Sequence, residues 1–102
     1  MSNKKTGVFK YFDCSTAHVL PADMSLLESR NIIACPDEHG AWVCVPVADH
    51  VAYWIGEFKE QGFSNNFIAV IEMALACDCY WIRFDSIGVR HDDLEDCSAS
   101  WK

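Results

Sequence analysis

Apolar side chains recur along this chain with two different periods, and the switches between them mark out its elements. Val8 to Ser15 is rich in aromatic and β-branched residues and predicts a first strand. That run does not alternate cleanly, so the pattern leaves its buried face open. Pro21 then suits the first position of a helix, where a missing N–H costs nothing, and Asp23 follows in the first turn, where the helix dipole favours an anion. Met24, Leu27 and Leu26 face inward, and the helix ends near Arg30. Asn31 to Cys35 and Ala41 to Val45 are β-prone runs joined by Pro36-Asp37-Glu38-His39-Gly40, a hairpin signal that Pro46 closes.

The helical period is clearest in the middle of the chain. With Asp49 as an N-cap, Val51, Trp54, Ile55 and Phe58 fall on one stripe, Glu57, Lys59, Glu60 and Gln61 on the wet side, and Gly62 stops the helix. Phe63-Ser64 restarts it, with Ser64 as cap and Phe63 placed to staple onto Ile68. Phe67, Ile68, Ile71 and Leu75 make the buried stripe of this next helix, which Cys77-Asp78 ends. Then the period changes to two. Tyr80, Ile82 and Phe84 alternate with Trp81, Arg83 and Asp85, as in a strand with one covered face. The order β-α-β-β-α-α-β predicts an α+β fold: a single layer of helices on a mainly antiparallel four-stranded sheet.

At 102 residues and 51% hydrophobic, the chain predicts one domain with a modest core, residues 1–7 and 91–102 reading as tails. No apolar run is long enough for a membrane helix, and the polar start Met-Ser-Asn-Lys-Lys-Thr-Gly lacks an export signal, so the expectation is cytoplasmic. Net charge is −7 and is carried beyond the first ten residues, where Lys4, Lys5 and Lys10 stand without an acid. An acidic body argues against direct nucleic-acid binding, which needs a basic face, and Asp92, Asp93, Glu95 and Asp96 form the densest acidic run. The six cysteines read as reduced thiols, several inside apolar runs. No metal is expected, since the nearest ligand set, Cys35, His39 and Cys44, spans two strands and a turn.

Two groups of residues are candidate sites. Ser15, Thr16 and His18 follow the first strand, and with Asp13 and Asp85 they hold the residue types of acid–base or nucleophilic chemistry, provided the first and last strands are neighbours. The same residues also serve as ordinary caps and turns. No phosphate loop, nucleophile elbow or H-E-x-x-H motif accompanies them. The second group is Trp81 and Arg83, residue types enriched where proteins bind one another, on the strand face opposite the core.

Several of these residues carry a resemblance. Ser15-Thr16-Ala17-His18 ending the first strand, Asp23 and Leu27, Gly40 with Trp42, Gly62-Phe63-Ser64, Trp81-Ile82-Arg83-Phe84-Asp85 and Trp101 resemble the family called domain of unknown function 5983, over roughly Tyr11 to Trp101. That resemblance implies a genetic setting on plasmids and other mobile elements and no established activity. The expectation is therefore a small acidic accessory protein that binds a protein partner or a copy of itself through Trp81 and Arg83, without catalysis, cofactor or membrane. Two alternatives stand beside it: a nucleic-acid-mimicking inhibitor of a DNA-binding or defence protein, and a minor enzyme centred on His18 and Asp85.

Overall fold

In the computed structural model, residues 7–30, 34–37 and 39–101 are described. The strands are β1 (Tyr11–Ser15), β2 (Ala34–Asp37), β3 (Gly40–Cys44) and β4 (Trp81–Asp85), and the helices α1 (Pro21–Arg30), α2 (Val51–Glu60) and α3 (Asn65–Ala76). Asn31 to Ile33, the start of the expected hairpin, lie outside the described residues.

The sheet corrects the expectation of a mainly antiparallel four-stranded one. Its body is a mixed unit of three five-residue strands in the spatial order β1-β4-β3, with β1 and β4 parallel and β3 and β4 antiparallel. The four-residue β2 extends it at the β3 side. Chain direction explains the result. One helix separates β1 from β2, so both run the same way, and the tight turn reverses β3. Two helices, out and back, then start β4 at the end where β3 finished. β4 therefore runs antiparallel to β3 and parallel to β1. The connections a parallel pair needs are supplied by the rest of the chain.

All three helices cover one face. Phe12 and Cys14 of β1, Ala41 and Val43 of β3, and Ile82 and Phe84 of β4 meet Leu27 of α1, Phe58 of α2, and Phe67, Ile68 and Ile71 of α3 in one core. Phe67 lies at its centre, its ring 5.8 Å from Phe84 and 4.4 Å from Phe63, centroid to centroid. Phe63 thus stacks on Phe67. In the stripe of α2 only Phe58 is fully buried, Trp54 and Ile55 packing at the core's margin.

The helix ends are built by local chemistry. Gly62, at φ +100°, ends α2 with Gly62 N–H on Lys59 O and Phe63 N–H on Phe58 O. Ser64 caps α3, its hydroxyl accepting from Phe67 N–H. Asp49 is not the cap of α2: Ala48–His50 wind as a 3₁₀ turn, and His50 occupies the cap position without a side-chain bond. Pro36, expected in a loop, stands in β2, where an edge strand tolerates its missing N–H. The strands therefore reach inward to Asp37 and Gly40, and the turn is shorter than five residues.

The C-terminal stretch packs back on the domain. Leu94 and Cys97 are buried, Cys97 N–H donates to Ala17 O at 2.6 Å, and the Trp101 indole N–H donates to Val19 O at 2.9 Å.

Candidate functional site

The residues singled out from the sequence fall in two places. Ser15, Thr16 and His18 sit where β1 runs into a 3₁₀ turn (Thr16–His18). Ser15 is buried, and its hydroxyl accepts from Ala17 N–H at 3.1 Å. Its own N–H donates to Val89 O at 2.8 Å, so the segment after β4 closes the outer edge of β1. Thr16 is half-buried, and its carbonyl takes the N–H of Val19.

His18 is 4% exposed, and both of its ring nitrogens are engaged by main chain. Nδ1 lies 2.8 Å from Glu95 O, which can only accept. Nε2 accepts from His91 N–H at 2.8 Å. The two partners fix the ring with its proton on Nδ1. His91 in turn donates from Nε2 to Asp13 O at 2.7 Å and stacks on Phe12 at 4.4 Å. A cavity of about 310 Å³ opens beside His18, lined also by Asn65, Asn66, Asp93 and Glu95. His18 has no nitrogen left to offer it as acid or base.

Asp85 is held elsewhere. It lies on the opposite face of the sheet, paired with Arg83 at 3.3 Å and accepting from Ile87 N–H at 3.1 Å. It is the register partner of Ser15, but it shares no hydrogen-bond partner and no cavity lining with His18. The structure therefore brings Ser15 beside Asp85 along the strands and keeps His18 apart from Asp85.

A buried carboxylate that sequence reasoning placed only in a helix start proves central. Asp23 is 1% exposed and accepts three hydrogen bonds: Leu20 N–H at 2.9 Å, Ser64 N–H at 2.8 Å and the Ser64 hydroxyl at 2.6 Å. It joins the start of α1 to the start of α3, where both helix dipoles favour its charge. The residues around β1 and α1 are thus knots of the fold. Gly40 is another, since a β-carbon there would lie 1.8 Å from Phe84 O.

These knots use Ser15, His18, Asp23, Gly40, Ser64 and Trp101, six of the residues that carried the resemblance, and the model of a family of unknown function, the DUF5983 C-terminal domain, matches residues 11–97. The chain belongs to that family. No curated protein and no solved structure matches it. In this DUF5983 domain the residues named above build architecture, so the chemistry open to a partner has to be sought on another surface.

The open face of the DUF5983 sheet is that surface. Alternation along the strands puts Tyr11 and Asp13 of β1, Trp81, Arg83 and Asp85 of β4, and Trp42 and Cys44 of β3 on the side away from the helices. Trp81 is 37% exposed and Tyr11 is 53% exposed. The Tyr11 and Trp42 rings meet edge to face at 5.1 Å, and the Arg83 guanidinium lies 5.6 Å from the centre of Trp42 while pairing with Asp85. Tyr11 and Trp42 were missed from the sequence. The signal for Tyr11 was its parity with Asp13 and Ser15 against Phe12 and Cys14. Trp42 sits in a continuously apolar run whose faces parity does not separate.

The thiols of the described residues, Cys14, Cys44, Cys77, Cys79 and Cys97, are free; Cys35 has no described side chain. Burial, helped by the charge of Asp13, pushes the Cys14 thiol up to about 12. Burial also raises Cys44, Cys79 and Cys97. Among the described residues no three His, Cys, Asp or Glu side chains could together hold a metal ion, and no helix is long and apolar enough to cross a membrane.

Proposed function

We propose that this DUF5983 domain is a non-catalytic protein-binding factor whose docking surface is the open face of its sheet. The observation that supports it best is the asymmetry of the sheet. One face is sealed by three helices, while the other leaves Tyr11 and Trp81 exposed, with Trp42 and Arg83 half-buried beside them. Exposed Trp and Tyr beside an Arg are residue types that dominate binding energy in interfaces. An acidic surface with net charge −7 fits a soluble cytoplasmic factor. In the mobile-element setting that the family resemblance implies, such a factor acts by engaging a host or defence protein.

The test is the double substitution Trp81→Ala plus Arg83→Ala, made in the host and in the purified chain. The reading expects the protein mass co-purified with the chain from the host to fall at least tenfold, with the thermal midpoint of the purified chain nearly kept. If the variant unfolds, or if the co-purified mass is unchanged, the open face is not the docking surface.

A further inference from the structure

The open face also says what kind of partner it fits, an inference that rests on the docking reading above. The four strands of the sheet, at a rise of about 3.3 Å per residue and a spacing of about 4.8 Å, cover only about 300 Å². A stable protein dimer buries about 800 Å² on each partner. A second copy pressed on this face would fall well short of that, and it would bring −7 against −7. The dimensions suit a single extended segment of a few residues.

The chemistry of the face selects the segment's charge. Tyr11 and Trp81 are register neighbours with their rings exposed. Two residues along β1, about 6.6 Å away by strand geometry, lies Asp13. Its carboxylate makes no hydrogen bond or ion pair among the described residues. It is half-buried, with Gly88 packed so close that a β-carbon there would come within 2.9 Å of Asp13 Oδ1, and its register neighbour on β4 is Arg83. An arginine or lysine side chain laid over the two rings brings its charged end to that carboxylate, joining cation–π attraction to an ion pair. Arg83 already shows the arrangement within the chain, its guanidinium over Trp42 and its charge on Asp85. We propose that the Tyr11–Trp81–Asp13 patch is the receptor for an arginine- or lysine-bearing extended segment of a basic protein. A phosphate-rich ligand is disfavoured there by Asp13 and Asp85.

The probes are three blocked pentapeptides in which glycine alternates with arginine, glutamine or glutamate, titrated into isotope-labelled full-length chain. The readouts are the indole N–H signals of Trp81 and Trp42, with that of Trp101, bonded to Val19 O, as internal control. The expected result is that the arginine peptide alone shifts Trp81, Trp42 and the amides of β1 and β4, and that added salt weakens it. Asp13→Asn should weaken it about twofold to fivefold, and Trp81→Ala at least as much, judged from ordinary exposed ion-pair and cation–π strengths. Shifts confined to residues 92–96, or equal binding to the Trp81→Ala variant, overturn the proposal. If the glutamine peptide shifts the same face equally, cation selection is refuted and the docking reading survives. Loss of the docking reading itself would show instead as unchanged co-purified mass in the double variant.

Discussion

Asp23→Asn tests the carboxylate that joins the starts of α1 and α3. The wild-type carboxylate accepts two bonds on Oδ2, from Leu20 N–H and the Ser64 hydroxyl, and one on Oδ1, from Ser64 N–H. The amide can keep its oxygen where two donors converge, but its NH₂ group then faces Ser64 N–H. That leaves one main-chain donor unpaired in a half-buried place, at about 1–3 kcal/mol. The two surviving bonds lose their charge assistance, about 1 kcal/mol each. Removing a buried charge returns part of this through smaller desolvation. The net expectation is a loss of about 2–4 kcal/mol from a domain whose total stability is of the order of 5–15 kcal/mol. The thermal midpoint should fall by roughly 10–20 °C.

Urea unfolding followed by circular dichroism gives the free energy, and Ser64→Ala with the double variant completes a cycle. The coupling between Asp23 and Ser64 should be about 1–3 kcal/mol. A loss below about half a kcal/mol, or no coupling, would refute the reasoning that this carboxylate ties α1 to α3.

Other consequences follow from single positions. Asp78 ends α3 at φ +60°, with Asp78 N–H on Leu75 O and Cys79 N–H on Ala74 O, so Asp78→Gly should raise stability by about 1 kcal/mol in urea melts; a loss would mean the Asp side chain has its own role there. Gly40→Ala should cost about 3 kcal/mol or more, because its β-carbon would meet the Phe84 carbonyl at 1.8 Å; near-neutral stability would place β3 and β4 further apart than described. Alkylation of native chain at pH 8, followed by mass spectrometry, should label the exposed Cys77 first and Cys14 last among the five described thiols. The Cys14 thiol, raised to about 12 from 9.0, is protonated in both states below pH 9, and above that the unfolded chain ionises first. Stability should therefore fall as pH rises from 9 towards 12, and Cys14→Ala should lessen the fall; an unchanged slope would contradict the assignment.

The sequence made local periods legible and long-range partners illegible, and particular residues show why. Phe58 in the stripe of α2, Ser64 as the cap of α3 and the outward position of Trp81 all follow from spacings of a few residues. The parallel pairing of Tyr11 with Trp81 joins positions seventy apart, and no local pattern states which strand inserts beside which. The same distance hid the site of His18, whose partners Glu95 and His91 lie in the stretch read as a tail. Asp23 was recognised for its helix dipole, yet its main partner Ser64 is 41 residues away. The open face was half legible: alternation placed Trp81 and Arg83, while Tyr11 and Trp42 join them only through the sheet's order.

Docking through the open face is tested most directly by photo-crosslinking in the host cell, with a benzophenone amino acid placed at Trp81 in one strain and at Tyr53 in another. Tyr53 is 63% exposed on α2, and so serves as an accessible position away from the open face. The account predicts a discrete protein adduct from position 81 and none from position 53. Equal adducts from both positions, or none from 81, would contradict it.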